Sequence, residues 1–179
     1  MNLSQFKNDN FDRGASLIKE IFWILFGLPL LSSFVPGSFW RVFLLRIFGA
    51  EVGRGVVIKP KLHVKFPWRL VVGNNSWVGE CVWIDNLVDV VLGDNCCVSQ
   101  GVYFCTGSHD WSRESFDLIT KKISVGRCVW IGAFSRIGPG VEILEGSVCS
   151  LGSVLTKSTG VWEIWAGNPC VKLKDRPRY

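Results

Sequence analysis

Histidine is scarce in this chain: there are two, His63 and His109, in 179 residues. A metal centre built on three imidazoles is therefore out of reach. Zinc held by thiolates is no better served, because the seven cysteines contain no CxxC pair. Their odd number, with Cys96 and Cys97 adjacent, also argues against a disulfide framework. The thiols read as small apolar fillers in a reducing compartment. Charge is thin as well. Lys, Arg, Asp and Glu make up 20% of the chain, the net charge is +5, and basic residues are scattered until the last eight positions. That distribution is poor support for nucleic-acid binding and better support for an anionic small molecule or membrane headgroups.

Long apolar runs are missing too. The most apolar stretch, "IFWILFGLPLLSSFV" at 21–35, is shorter than the roughly 20 residues a bilayer span requires, and it carries Pro29. As a signal peptide it starts late, and Asp9, Asp12 and Glu20 stand where a basic leader belongs. A buried or interfacial helix is expected, with shallow membrane contact as the sharper alternative. The expected location is the cytoplasm, with any membrane contact peripheral, at the inner face of the plasma membrane.

What the chain has in quantity is apolar residues, 48%, and glycine, nineteen of them. From Val52 an aliphatic residue returns every six positions, in blocks such as "VGNNSW", "VGECVW" and "IGPGVE". Fifteen hexads can be written over 52–160, with interruptions of two, two and fifteen residues, and all fifteen lead positions are apolar. Chance at this composition gives that about once in 10^4 to 10^5, before allowing for the freedom to place gaps. Seven hexads carry Gly second, and the fifth residue is Val, Ser, Thr or Cys in all but two, Leu62 and Trp68. An alternating sandwich strand would show period two. Period six with glycine turns predicts a mainly β chain folded as a parallel β-helix, three hexads to a coil and five coils to a triangular prism. Residues 1–51 form an apolar, helical region, with helices near 15–33 and 38–48 broken at Pro36-Gly37, and 161–179 a C-terminal extension with a basic tail.

All three interruptions fall at one corner, between the third hexad of a coil and the first of the next. The long one, 110–124, is an excursion of the kind that carries function. His109 immediately precedes it, as the sixth residue of its hexad. The same position is Asp89 one coil below and Glu142 one coil above. Stacked strands would bring these side chains to about 5 Å, close enough for a carboxylate to orient the imidazole. Asp85 and Asn86 lie in the strand below the histidine, where they could hydrogen-bond a ligand, and Trp111 and Phe116 in the excursion could stack on one. His63 has no such neighbours and reads as structural.

The hexads, together with "FLLRIFGA" (43–50), "FPWRLVVG" (66–73), "CTGSHD" (105–110), "PGVEI" (139–143) and "GNP" (167–169), resemble the hexapeptide-repeat acyltransferases. Within these the chain is most similar to the colanic acid biosynthesis acetyltransferases and their exopolysaccharide relatives. The resemblance implies a left-handed prism, a homotrimer with sites between prisms, acetyl-coenzyme A as donor without a metal, and His109 as general base toward a sugar hydroxyl, with Asp89 beside it. It implies a pantetheine wall at Trp130 and Ala133, where many relatives have serine. It also implies a nucleotide-end segment at Gly152, Ser153, Thr156 and Lys157, with Lys157, Lys174 and Arg176 as phosphate partners. Two other readings stay open: N-acetylation of an amino sugar, and a prism serving only for assembly. A γ-type carbonic anhydrase on the same scaffold lacks its third histidine.

Overall fold

The computed structural model describes residues 2–8 and 11–178. Its body is a prism of five three-stranded coils. The first coil is β1 (Glu51–Val52), β2 (Val57–Ile58) and β3 (His63–Val64); the second is β4 (Leu70–Val72), β5 (Trp77–Val78) and β6 (Trp83–Asp85). The third is β7 (Val90–Leu92), β8 (Cys97–Val98) and β9 (Tyr103–Cys105). A hairpin follows, β10 (Gly107–His109) and β11 (Leu118–Thr120). The fourth coil is β12 (Ile123–Val125), β13 (Trp130–Ile131) and β14 (Arg136–Ile137), and the fifth is β15 (Glu142–Ile143), β16 (Val148–Cys149) and β17 (Val154–Leu155). A closing pair, β18 (Glu163–Gly167) and β19 (Cys170–Asp175), ends the chain.

Three parallel walls result: β1-β4-β7-β12-β15, then β2-β5-β8-β13-β16 continued by β18 and β19, then β3-β6-β9-β14-β17. In the second wall Trp77 pairs with Cys97, Cys97 with Trp130 and Trp130 with Val148. Those steps are the eighteen-residue coil plus interruptions of two, fifteen and none. The fold is a left-handed parallel β-helix with a short helical region before it.

The hexad determines what fills the prism. All fifteen lead residues, Val52 through Leu155, are buried. Glycine at the second position turns out to serve spacing between coils. A Cβ on Gly73 would stand 2.5 Å from the carbonyl carbon of Gly93 in the coil above, and one on Gly132 would stand 2.6 Å from the amide nitrogen of Leu151. The bend itself is made at the fourth position, which is left-handed in all hexads but those of Pro67, Leu87, Gly107 and Ser158, whether occupied by glycine, as at Gly152, or by Asn75, Cys128 or Phe134. The fifth position is buried except at Trp68, Val88 and Ser108. These are the third hexads of the first three coils, where the chain leaves the triangle before the hexad is complete. The long excursion accordingly begins at Gly107 rather than at Asp110, and His109 belongs to the hairpin.

The helical region closes the lower end. α1 (Leu17–Phe22) runs through a π-helical turn (Trp23–Gly27) into α2 (Leu28–Leu31), just where Pro29 cannot donate a helical hydrogen bond. α3 (Phe39–Ile47) follows. The first coil has no coil beneath it, so its lower backbone groups need other partners. Trp23 Nε1 donates to the Val64 carbonyl at 3.0 Å, Ser32 Oγ to Leu62 at 3.1 Å, and Arg46 to Val52 and Gly53 at 2.6 to 3.0 Å. The Ser38 hydroxyl accepts from the Ile58 N–H at 2.8 Å and donates to the Val56 carbonyl. Buried Arg41 donates to the carbonyls of Ser33, Val35 and Gly37 between the helices, and the Ser33 carbonyl also accepts from the Lys61 N–H at 3.4 Å. Trp23, Leu31, Val42 and Leu45 complete the core from below.

Candidate active site

The hairpin is anchored by Thr106, which is fully buried and donates through N–H and hydroxyl to the Asp85 carbonyl at 3.2 and 3.0 Å. Its own carbonyl accepts from Lys121 N–H at 2.9 Å, closing the base of the excursion. Between these ends His109 pairs with Leu118 across two antiparallel strands. The tip is held by Asp110, which accepts from the Ser112 N–H and hydroxyl, and by Arg113, which lies 3.4 Å from Asp110 and 3.3 Å from Asp117. The Ser112 hydrogen bonds, and secondarily Arg113, hold the Asp110 carboxyl below its ordinary range.

This tip forces Phe116 into a left-handed conformation, φ +52°, uncommon for a bulky residue. The result is an imidazole held on three sides. The Phe116 carbonyl lies 2.8 Å from His109 Nδ1. The Phe116 ring stacks on the imidazole at 4.2 Å with 2° between planes, and Phe6 from the N-terminal segment meets it edge-on at 5.5 Å. A carbonyl can only accept, so Nδ1 carries the proton and the neutral ring keeps its lone pair at Nε2. Among the described residues Nε2 has no hydrogen-bond partner.

Asp89 does not play the part expected from the spacing. Its side chain is exposed and makes no hydrogen bond or ion pair among the described residues, and the same holds for Glu142. The stacking argument fails because His109 is lifted off the wall by the hairpin, so a backbone carbonyl takes the carboxylate's place. Asn86 is also reassigned. It is fully buried and bonds the backbone of Phe66 and Arg69, fixing the corner of the coil below. Asp85 does sit at the corner, one coil below Cys105, taking a hydrogen bond from the Tyr103 hydroxyl at 3.2 Å and an ion pair from Lys65 at 3.1 Å. Burial, then the neighbouring Cys105 and this carboxylate, raise the Tyr103 pKa. Trp111, at the hairpin tip, is 84% exposed.

The residues expected along the cofactor lie elsewhere, around the corner between the second and third walls. Trp130 and Ala133 line a groove of about 380 Å³ with Gln100, Ser150 and Leu151. The Ala133 N–H has no acceptor among the described residues. Above it Thr156 and Lys157 line a second hollow of about 290 Å³ with Trp165 and Lys172. Gly152 makes the left-handed turn between them. Two of the expected contacts are structural instead. The Ser153 side chain points into the prism, fully buried. The Arg176 guanidinium donates to the carbonyls of Cys128 and Gly146 at 3.1 and 2.9 Å, stapling the tail to two coils. Lys174 is exposed on β19. On one chain, then, His109 and the Trp130–Ala133 groove occupy different corners, with the third wall between them.

No protein-family model matches the chain. It is 34% identical, over 98% of its length and 97% of the other, to the colanic acid biosynthesis acetyltransferase WcaF of Escherichia coli. It is 27% identical, over 75% of its length and 68% of the other, to the galactoside O-acetyltransferase of Escherichia coli. Among solved structures, the hexapeptide-repeat acetyltransferase VCA0836 of Vibrio cholerae complexed with acetyl-coenzyme A has a TM-score of 0.82 at 23% identity, covering 98% of this chain and 97% of that one. The prism, the imidazole at the mouth of its one long excursion and the full-length similarity lead to one assignment: this chain belongs to the hexapeptide-repeat acetyltransferases, in the colanic acid biosynthesis acetyltransferase family.

Proposed function

We propose that the protein transfers an acetyl group from acetyl-coenzyme A to a sugar hydroxyl of an exopolysaccharide precursor, with His109 as general base. The observation that carries this reading is the pairing of His109 Nδ1 with the Phe116 carbonyl, which leaves Nε2 as the only basic nitrogen of the ring. Nε2 takes the proton of the acceptor hydroxyl as that oxygen attacks the thioester carbonyl carbon. The oxyanion of the tetrahedral intermediate is stabilised by backbone N–H groups, of which Ala133 N–H is the candidate. The intermediate collapses with loss of the coenzyme thiolate, which takes the proton back from the imidazolium. Ester and free thiol are formed with no covalent enzyme intermediate.

The coenzyme occupies the groove along Trp130, Ala133 and Leu151, and its phosphates reach Lys157 and Lys174, whose charge suits a polyanion. Asp85 and the exposed Trp111 lie at the histidine's corner, on the acceptor side. Because groove and base sit on different corners of one chain, a working site takes its imidazole from one copy and its groove from a neighbour, as in a closed ring of three. The test is coenzyme A release from acetyl-coenzyme A over a panel of free, nucleotide-linked and lipid-linked sugars. Release should require the acceptor, and His109→Ala should lower it by roughly 10^2 to 10^4. A variant within threefold of wild type would mean that another group is the base.

A further inference from the structure

The cap over the lower end of the prism has two faces of the same character. Along the first helix the buried stripe is Glu20, Trp23, Gly27 and Leu31. Ile18, Phe22 and Leu25 lie on the opposite side, spaced by four and three residues, and all are exposed. On α3, Phe39, Phe43 and Ile47 form a second outward stripe, Phe39 being 85% exposed. Between residues 17 and 47 thirteen large apolar side chains are at least 45% exposed. A helix that is apolar on every side needs a cover on every side.

Two observations choose the cover. First, the helices take the place of a coil beneath the first one, so their outer faces look along the prism axis. Copies that meet along the walls, as the proposed ring requires, leave this end bare. Secondly, basic residues outnumber acids around the face, although Lys61 also pairs with Glu80 at 3.3 Å. From 14 to 61 the basic residues are Lys19, Arg41, Arg46, Arg54, Lys59 and Lys61, and the acids are Glu20 and Glu51. Glu20 is buried and paired with Arg13, leaving Glu51 as the one exposed acid of that stretch. Lys61 lies over the Phe34 ring at 4.3 Å, an amphipathic arrangement with the ammonium at the edge of an apolar patch. An apolar face rimmed by cations fits the interfacial zone of a bilayer with anionic headgroups.

We propose that the exposed face of the helical cap docks on an anionic lipid bilayer, burying Ile18, Phe22, Leu25, Phe39, Phe43 and Ile47 among the acyl chains and placing Lys19, Arg54, Lys59 and Lys61 at the headgroups. The contact is peripheral: among the described residues no helix is long and apolar enough to cross a membrane. It stands apart from the acetyl-transfer reading, since it uses none of the groove or hairpin residues.

The test is flotation of the full-length protein with vesicles of phosphatidylcholine containing phosphatidylglycerol, and with phosphatidylcholine alone. Wild type should float with the anionic vesicles and bind the neutral ones at least tenfold more weakly. Ile18→Glu/Leu25→Glu/Phe43→Glu, all at exposed positions, should lose at least tenfold in binding while keeping wild-type circular dichroism and melting. Wild type remaining in solution with both vesicles, or a triple variant that floats like wild type, overturns the proposal. So does a concentration-dependent doubling of mass that the triple variant abolishes without any flotation, because the cover is then a second copy. Equal binding to neutral and anionic vesicles overturns the part assigned to the basic rim.

Discussion

Two glycines can be made to show that two different physical demands shape the hexad. Gly73 has no unusual φ, yet a Cβ there would lie 2.5 Å from the Gly93 carbonyl carbon and 2.6 Å from the Asp94 amide nitrogen. Both contacts are backbone, so relief requires the coils to separate by most of an ångström at a point where Gly73 N–H donates to the Leu92 carbonyl at 2.8 Å. Overpacking costs about 1–3 kcal/mol, and the stretched hydrogen bond adds about 1 kcal/mol. Gly73→Ala should therefore destabilise by about 2–4 kcal/mol, on the order of 10 °C in melting temperature for a chain of this size. Gly152 is the opposite case. Nothing lies within 4 Å of its Cβ position, but its φ is +69°. Gly152→Ala should cost about 1–2 kcal/mol, and Gly152→Asn should recover most of that because asparagine tolerates the left-handed region. Urea unfolding followed by circular dichroism at one protein concentration measures all three. Gly73→Ala costing under about 1 kcal/mol, or Gly152→Asn as damaging as Gly152→Ala, would refute the division of roles.

Three further outcomes follow from the same structure. Asp89→Asn should leave rate and pH profile within twofold of wild type, measured by coenzyme A release; a tenfold loss would return a carboxylate to the mechanism. Burial, with Cys170 adding to it, pushes the Cys149 thiol up to about 12, whereas Cys81 is exposed. A disulfide reagent at neutral pH should thus label Cys81 rapidly and Cys149 only after unfolding, and rapid labelling of both would contradict the packing. Burial against Trp83 holds His63 below its ordinary 6.5, with Asp85 opposing and Lys65 assisting. A depressed folded-state value means the unfolded chain binds the proton more readily. Stability is therefore full above 6.5 and falls as the pH drops. The melting temperature of wild type relative to His63→Asn should decline from about pH 7.5 to about pH 5. Parallel curves would show that the ring titrates freely.

The sequence made the repeat legible because burial at every sixth position is a composition-level signal, and every one of the fifteen leads is indeed inside. The corner of the insertions and the helical region were legible for the same reason. What failed was extrapolation of the repeat to its own edge. Trp68, Val88 and Ser108 lose the fifth-position burial at the corner where chain is inserted, so counting to a sixth position there assigned His109 to a wall it has left. Its real partner is a backbone carbonyl, and carbonyls carry no residue-type signature. The left-handed turn at Phe116 that aims it is likewise unreadable, since nothing in "RESFD" marks a bulky residue for positive φ. Asn86 and Ser153 were misread because polar side chains that serve buried backbone or corner packing look in sequence like ligands. The resemblance singled out the Trp130–Ala133 and Thr156–Lys157 segments, which line hollows on the surface.

The proposed division of the site between copies is tested most directly by mixing two variants that should each be inactive alone. His109→Ala keeps the groove, and Leu151→Glu, at an exposed groove position, keeps the base but sets a carboxylate against a polyanionic coenzyme. Unfolded together in equal amounts and refolded, they form a working site wherever an intact His109 faces an intact neighbouring groove. Random assembly into a closed ring gives that at about a quarter of sites. Coenzyme A release at about a quarter of the wild-type rate is the predicted result, and no activity above that of the separate variants would contradict it.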